Sequence, residues 1–241
     1  MWIAGQFDPS KISCSAVAKE EAERLAEKSQ MAIDSSFFAK DETFIAFLNA
    51  RSLRKHQKDI SLDPEIMMSD ILGIAETNLY ENEDVNLEGF EGSFVNAGKG
   101  KGVAAFTKID VSNKKKICQP SFTAISLELE NLKIIFAYLS SKINMEELNV
   151  HLRPMLQEKK KPTIIMGDMN FHFSEKYNSR KSYLEGFGFH QVVERVTHDD
   201  GHILDQIYVT SNLQHLLKQN VFLKPLYFSD HDALCIRLPK L

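Results

Sequence analysis

The chain has 241 residues, of which 43% are hydrophobic and 26% are charged. This is the usual composition of a globular protein, and it excludes disordered, collagen-like and coiled-coil proteins. The formal net charge of −4 also argues against a strongly basic nucleic-acid-binding protein. Because no apolar run approaches the roughly 18 residues needed to span a bilayer, we expect no membrane segment.

Two features bear on the cellular compartment. The amino terminus lacks a basic stretch followed by a long apolar one, so we expect no secretory signal peptide. The three cysteines, Cys14, Cys118 and Cys235, are too widely spaced for a disulfide framework or a cysteine-type zinc site. These features predict a reducing compartment, either the nucleus or the cytoplasm.

The first 43 residues differ in character from the rest. Ala16–Met31 is rich in alanine, glutamate and lysine, which predicts a helix. Residues 1–43 carry five basic and eight acidic side chains, a net charge of −3, so residues 44–241 carry only −1. We therefore divide the chain into a helical extension over residues 1–43 and a folded domain over residues 44–241.

From Thr43 onward, short apolar runs predict strands and polar stretches between them predict helices. The predicted strands lie, in chain order, within Thr43–Leu48, Ser69–Glu76, Ser93–Val95, Gly102–Phe106, Thr123–Leu129, Leu132–Tyr138, Thr163–Asp168, Ile203–Thr210 and Ala233–Leu238. The predicted helices are Ser52–Asp63, Met145–Gln157 and Ser182–Gly186. Adjacent strand pairs favour antiparallel sheets, and two such sheets packed face to face with helices outside would use these elements.

Several of these strands end in a polar residue. The residues at or near strand ends are Asn49, Glu76, Tyr138, Asp168, Asn170, Asp205, Asp230 and His231. Each alone is more often a solvated side chain or a turn cap. If the strand ends converge, however, the carboxylates repel one another and need a cation. Oxygen ligands of this kind select Mg²⁺, with Mn²⁺ as an alternative.

The order of these motifs resembles that of the endonuclease/exonuclease/phosphatase superfamily, which includes DNase I, apurinic endonucleases and the endonucleases of non-LTR retrotransposons. The matching strings are Leu48–Leu53, Glu76–Thr77, Gly102–Ala104, Phe136–Tyr138, Gly167–Asn170, Leu204–Ile207 and Ser229–His231. The resemblance implies a four-layer α/β sandwich, in which two mostly antiparallel sheets pack face to face with helices outside.

Details within that superfamily resemble mobile-element nucleases. Asn49–Leu53 and Val196–Ile207 look like the retroelement versions, although Arg51 stands where apurinic endonucleases often carry an acid. Residues 6–25 are similar to the carboxyl-terminal tail of the DNA helicases of Helitron-like transposons. That similarity implies a helicase linked to this domain in a longer polyprotein, and the alternative is a plain helical extension.

The resemblance also implies a role for each residue. It assigns Asn49, Glu76 and Asp230 to the metal ion. It also assigns catalytic roles to five residues. Tyr138 and Asn170 would contact the phosphate, and Asp168 would orient the attacking water. His231 would lie against the phosphate and be oriented by Asp205. Whether Asp168 or His231 is the base stays open at this point.

Basic residues offer contacts to a DNA backbone in spite of the bulk charge. Arg51 and Arg54 follow the first motif, and Lys99 and Lys101 lie on a predicted hairpin turn. The lysine runs 114–116 and 159–161 precede predicted strands, and we interpret them as solvated loops.

Together these features predict a Mg²⁺-dependent phosphodiester hydrolase, a DNA-nicking endonuclease of a mobile genetic element. One alternative is a phosphatase or sphingomyelinase of the same superfamily, although no apolar membrane-facing loop is found. Another is a DNA-binding remnant that has lost catalysis, because Arg51 replaces an acid.

Overall fold

The structure is a computed structural model that describes residues 42–157, 161–171, 178–218 and 220–239. The helix predicted over residues 16–31, the helicase-like segment and two lysines of the 159–161 run lie outside these residues. Within the described residues, none of the helices has both the length and the apolar character that crossing a membrane requires.

The described residues form twelve strands and five helices. The strands are β1 (Glu42–Asn49), β2 (Ile71–Ala75), β3 (Glu91–Val95), β4 (Val103–Thr107), β5 (Asn113–Gln119), β6 (Phe122–Glu128), β7 (Lys133–Leu139), β8 (Thr163–Asp168), β9 (Phe189–Gln191), β10 (Asp205–Thr210), β11 (Val221–Lys224) and β12 (Ala233–Pro239). The helices are α1 (Leu53–Leu62), α2 (Pro64–Met67), α3 (Met145–Gln157), α4 (Ser179–Gly186) and α5 (Ser211–Leu217).

The strands form two six-stranded sheets with the same internal pattern. The first has the order β11-β12-β1-β2-β4-β3, and the second has the order β5-β6-β7-β8-β10-β9. In each sheet the two central strands, β1 with β2 and β7 with β8, are parallel, and the other neighbours are antiparallel. The predicted sandwich of two mostly antiparallel sheets is therefore confirmed.

Three apolar layers hold the sandwich together. Between the sheets, the rings of Phe47 and Phe136 stack with centroids 6.0 Å apart. A side chain at Gly73 would place its Cβ 2.2 Å from the Phe136 ring, so only glycine fits there. Outside the sheets, Leu53 of α1 and Leu148 of α3 are fully buried in separate apolar clusters. Central strands buried on both faces explain the unbroken apolar runs in the sequence.

The lysine run at residues 114–116 was wrongly interpreted as a loop. It lies in β5, which pairs antiparallel with β6 along its whole length. β5 is the edge strand of the second sheet, where polar side chains are tolerated and lysines discourage the addition of further strands. The polarity that suggested a loop therefore belongs to an edge strand, in which Lys114 pairs with Glu91 of β3.

The remaining differences concern short elements. No prediction from the sequence covered α2, α5, β9 or β11, none of which exceeds seven residues. The predicted start of α4 at Ser182 was wrong, because the helix begins at Ser179, where the side chain of Asn178 caps the amides of Arg180 and Lys181. These elements lack the length over which apolar periodicity becomes visible.

Candidate active site

Strand direction brings the predicted site residues to one end of the sandwich. In each sheet the two parallel strands have their carboxyl ends side by side, and their antiparallel neighbours begin at that same end of the sheet. β1 and β2 thus deliver Asn49 and Glu76, while β8 ends at Asp168 directly opposite Asp205, the first residue of β10. Residues from six strand ends can therefore share one cleft.

A hydrogen bond between side chains of the two sheets lies at this end of the sandwich. The Asn49 amide donates from Nδ2 to Oδ2 of Asp168 over 2.9 Å, and both side chains are buried. Asn170 adds its backbone N–H to Oδ1 of Asp168 over 3.0 Å and its Nδ2 to Oδ2 over 3.3 Å. Three donors therefore fix the orientation of a single buried carboxylate.

Burial also perturbs the charge state of the site carboxylates. Burial, reinforced by the nearby carboxylate of Asp205, raises the pKa of Asp168 well above its usual value. The pKa of Glu76 is raised as well, chiefly by burial, although a hydrogen bond from Asn49 opposes the rise. Both groups bind protons or cations more strongly than an ordinary surface acid.

A buried carboxylate–imidazole pair lies beside Asp168. Nδ1 of His231 is 2.6 Å from Oδ2 of Asp205, and the two residues are 7% and 0% exposed. Burial lowers the pKa of His231, but the charge and hydrogen bond of Asp205, together with the more distant acids, outweigh it and raise the pKa from 6.5 to about 9. His231 is therefore an imidazolium at neutral pH, with Nδ1 donating to Asp205.

Tyr138 lies at the carboxyl end of β7, opposite Asp168 in the parallel pair. Burial, followed by the charges of Glu76 and Asp168, raises the pKa of Tyr138 to about 12, while a hydrogen bond with Asn170 opposes the rise. The phenol therefore keeps its proton and acts as a hydrogen-bond donor at neutral pH.

The backbone at this end adopts unusual conformations. Arg51, Glu76, Asn78 and Asn170 have φ angles of 51°, 49°, 56° and 49°, in the left-handed region. Residues other than glycine rarely adopt this backbone region, and those held there concentrate at functional sites. These residues follow β1, β2 and β8, three of the strands whose carboxyl ends lie at this end of the sandwich.

The predicted DNA-binding residues lie around the rim. Arg51 pairs with Asp230, and Arg54 pairs with Glu83 on the loop after β2. Lys99 and Lys101 lie on the loop between β3 and β4. Asn78, which sequence reasoning missed, links the two regions, because its amide donates to the Arg51 carbonyl over 2.5 Å and accepts from the backbone of Gly100.

His198 is a second residue that sequence reasoning missed. It forms an isolated antiparallel bridge with His231, and the two rings meet edge to face with centroids 4.5 Å apart. Its Nε2 lies 3.5 Å from Oδ2 of Asp230. The sequence resemblance included Thr197 and His198 in a retroelement-like string, but the string alone gave His198 no role.

The donor set at this end fits a divalent cation. Oδ1 of Asp205 and Oδ1 of Asp230 are buried and have no hydrogen-bond partner among the described residues. Carboxylate oxygens of Asp168 and Asp205 lie within 4.8 Å of each other at this end. Unpaired buried carboxylate oxygens favour a bound cation. The predicted ligands Asn49, Glu76 and Asp230 add further oxygens at the same end.

Comparisons with known proteins agree with this architecture. A sequence model of the Endonuclease/Exonuclease/phosphatase family matches residues 45–231. A comparison with curated proteins gives no match.

Three solved structures share the fold. The 3′-5′ exonuclease NExo from Neisseria meningitidis is 15% identical over 83% of this chain and 100% of its own, with a TM-score of 0.64. NExo from Neisseria, described as a 3′ phosphatase bound to a product DNA hairpin, is 15% identical over 80% of this chain and 98% of its own, with a TM-score of 0.62. The human Nocturnin catalytic domain with a bound sulfate anion is 16% identical over 83% of this chain and 94% of its own, with a TM-score of 0.59.

Proposed function

The chain belongs to the endonuclease/exonuclease/phosphatase family, and from that premise we propose that it is a metal-dependent phosphodiesterase that cleaves DNA internally. The observation that carries the proposal is the buried Asp205–His231 pair beside Asp168. It combines a fixed cation with a carboxylate of raised pKa in a single cleft. Hydrolysis of a phosphodiester needs both a group that accepts a proton from water and positive charge at the phosphate.

His231 supplies positive charge to the phosphate. Its Nδ1 is engaged by Asp205, so Nε2 is the nitrogen left to donate to a non-bridging oxygen. Because its pKa is raised to about 9, His231 holds its proton at neutral pH and is unsuited to act as the base. We therefore propose Asp168, and not His231, as the base, a choice that the sequence left open.

Asp168 is then the base. Its two oxygens accept from Asn49 and Asn170, which aim the carboxylate at the cleft. A raised pKa makes the carboxylate a better proton acceptor for the attacking water. Tyr138 and Asn170 donate to the remaining phosphate oxygens.

A divalent metal ion would complete this arrangement. Glu76, Asn49 and Asp230 would hold Mg²⁺ or Mn²⁺, which would supply Lewis-acid stabilisation of charge on the phosphoryl and leaving oxygens. Burial of Glu76 increases its demand for a cation, because an unpaired carboxylate is costly away from water.

DNA is the favoured substrate for two reasons. The Neisseria NExo structure of the same fold is bound to a DNA hairpin. In this chain, Arg51, Lys99 and Lys101 place positive charge around the rim, where contacts to backbone phosphates give affinity without base recognition.

The mobile-element origin is a further part of the proposal. It is supported by the strings Asn49–Leu53 and Val196–Ile207, which resemble retroelement nucleases, and by the helicase-like residues 6–25. We propose that residues 1–43 are an extension attached to the nuclease domain at 44–241, derived from a linked helicase, and that the protein acts on DNA in the nucleus or cytoplasm.

The experiment that tests the function uses covalently closed circular DNA. A circle has no end for an exonuclease or a 3′ phosphatase, so only internal cleavage converts supercoiled plasmid into nicked circles. We expect nicking with Mg²⁺ and none with EDTA. Release of phosphate from 3′-phosphorylated oligonucleotides, inositol phosphates or sphingomyelin, without any nicking, would overturn the proposal in favour of a phosphatase or phospholipase-type activity. Stoichiometric DNA binding without cleavage of any of these substrates would indicate a non-catalytic remnant.

A further inference from the structure

We infer that Gln206 is a positioning residue, which holds the turn that carries Asn170 and through that turn aims the carboxylate of Asp168. The inference rests on the proposed function of Asp168 and Asn170. Gln206 lies in the string Leu204–Ile207, in which only Asp205 was given a role from the sequence. Its side chain is fully buried, which is costly for a polar amide unless its polar atoms have partners.

The side chain of Gln206 faces away from the cleft. Along β10, side chains alternate between the two faces of the sheet, and Ile207 and Val209 lie in the apolar layer between the sheets. Tyr208 lies instead in the layer on the outer face of the second sheet. Gln206 therefore shares the outer face with Tyr208, while Asp205 shares the inner face with Ile207. Any effect of Gln206 on the reaction must pass through the residues that it contacts.

The turn after β8 is anchored on both sides of Asn170. Before Asn170, the backbone N–H of Met169 donates to the carbonyl of Leu204 over 2.9 Å. After Asn170, Nε2 of Gln206 donates to the carbonyl of Phe171 over 2.8 Å, in a buried hydrogen bond. Gln206 thus supplies the anchor on the carboxyl side of Asn170.

Asn170 needs such an anchor because its backbone is in the left-handed region, with φ at 49°. A residue with a side chain is less stable in this region than in the right-handed one. The observed conformation lets the backbone N–H of Asn170 reach Oδ1 of Asp168 and lets Nδ2 reach Oδ2, over 3.0 and 3.3 Å. A turn released at Phe171 would relax toward ordinary backbone angles, and both bonds to Asp168 would weaken.

Three contacts fix which end of the Gln206 amide faces this turn. Nε2 donates to the carbonyls of Phe171 and Ile203 over 2.8 and 3.1 Å, while Oε1 accepts from the Tyr208 hydroxyl over 2.9 Å. A carbonyl oxygen accepts only from the NH₂ end of the amide, so the amide cannot turn over without losing both of these bonds. One amide therefore ties the approach to β10 to the turn after β8.

The first test measures the turn itself, by amide hydrogen exchange in DNA-free protein. Gln206→Met keeps the length of the side chain but has no donor for Phe171. We expect the backbone amide of Asn170 to exchange about tenfold faster in this variant, the order of one lost hydrogen bond.

Tyr208→Phe is the matched control for this measurement. It removes one buried hydrogen bond of the same network but leaves both bonds from Gln206 to the carbonyls. Exchange at Asn170 should change by less than about twofold, even where urea unfolding shows a similar loss of stability in the two variants. Equal acceleration in both variants, or none in Gln206→Met, overturns the inference.

The second test measures single-turnover nicking of plasmid DNA with Mg²⁺. At saturating DNA, we expect Gln206→Met to lower the rate by about tenfold and Tyr208→Phe by less than about twofold. The DNA concentration that gives half the maximal rate should change by less than about twofold in Gln206→Met, because Gln206 does not face the substrate. Weaker DNA binding with an unchanged maximal rate would contradict a role in aiming Asp168.

The two tests separate this inference from the proposed function. If the wild-type protein nicks no DNA, the proposed function fails, while the exchange comparison still decides whether Gln206 holds the turn. If the enzyme is active and Gln206→Met exchanges faster at Asn170 yet nicks at the wild-type rate, the inference is wrong.

A measurement on the wild type decides the matter if Gln206→Met does not fold. Both Nε2 protons of Gln206 should then exchange at least about tenfold more slowly than those of the exposed Gln157. Equal exchange of the two side-chain amides would overturn the inference.

Discussion

Replacement of Asp205 by asparagine tests the pair that sets the charge of the site. In the folded protein the pKa of His231 rises from 6.5 to about 9. At 1.36 kcal/mol per pKa unit, the imidazolium is favoured by roughly 3 kcal/mol. Asp205 makes the largest favourable contribution and is itself fully buried, so we expect Asp205→Asn to lower the free energy of unfolding by about 3 kcal/mol at pH 6.

The sign of the pH dependence follows from the direction of the shift. A pKa raised on folding stabilises the protein fully below pH 6.5, and this stabilisation is lost as pH rises through about 9. In metal-free buffer, the stability difference between the wild type and Asp205→Asn should therefore shrink between pH 6.5 and 9. Urea unfolding across this range measures the difference, and an NMR titration of His231 measures the pKa directly.

The chain offers a matched control at its surface. His56 and Asp59 form a similar contact of 2.8 Å between Nδ1 and a carboxylate oxygen, but solvent screens the Asp59 carboxylate. Asp59→Asn should change stability much less than Asp205→Asn at pH 6. A His231 pKa that stays near 9 in Asp205→Asn, or equal losses in the two variants, would refute the reasoning.

Three other predictions concern the cleft, the rim and the core. Asn49→Ala removes the 2.9 Å bond to Asp168 and should lower single-turnover nicking by about a hundredfold, because the base loses its orientation; a loss below threefold would show that Asn170 suffices. Lys99→Ala and Lys101→Ala should each weaken DNA binding and reduce the slope of log K against log salt concentration by about 1. Fluorescence anisotropy with the inactive Asp168→Asn protein measures this slope. Lys58→Ala on α1 is the control and should leave the slope unchanged. Gly73→Ala should destabilise the fold by at least about 3 kcal/mol, because its Cβ would lie 2.2 Å from Phe136. Gly186→Ala, whose Cβ would meet nothing within 4 Å, should change thermal stability by less than about 0.5 kcal/mol. Similar effects of the two substitutions would contradict the packing between the sheets.

Much of the fold could be predicted from the sequence because the central strands are buried on both faces. Runs such as Thr163–Asp168 are apolar almost throughout, and each ends where the strand leaves the core. A polar residue just after such a run is therefore at a sheet end, and several in order point to one cleft. The same rule failed at β5, because an edge strand need not be apolar.

The contacts within the site could not be predicted from the sequence. Asn49 and Asp168 are 119 positions apart, and Arg51 and Asp230 are 179 apart. No local pattern specifies that such residues meet, since their contact depends on how the two sheets pack. His198 was missed for the same reason, because its contact with His231 depends on a bridge to the loop before β12.

The bulk charge of the chain was also a poor guide to its partner. Residues 1–43 hold −3 of the net −4, and the remaining acids include those that converge at the cleft. Their charge is local, and a bound divalent cation would offset it where the proposed DNA substrate would approach. The overall charge of a nuclease therefore says little about the potential at its active site.

Single-turnover nicking of supercoiled DNA with Mg²⁺ by Asp168→Asn and His231→Gln tests whether catalysis takes place in this cleft. We expect each variant to fold and to lose at least about a hundredfold in rate. Asp70→Asn, which removes an acid at the opposite end of β2, should nick at nearly the wild-type rate. Wild-type rates in the first two variants would place catalysis elsewhere and contradict the account.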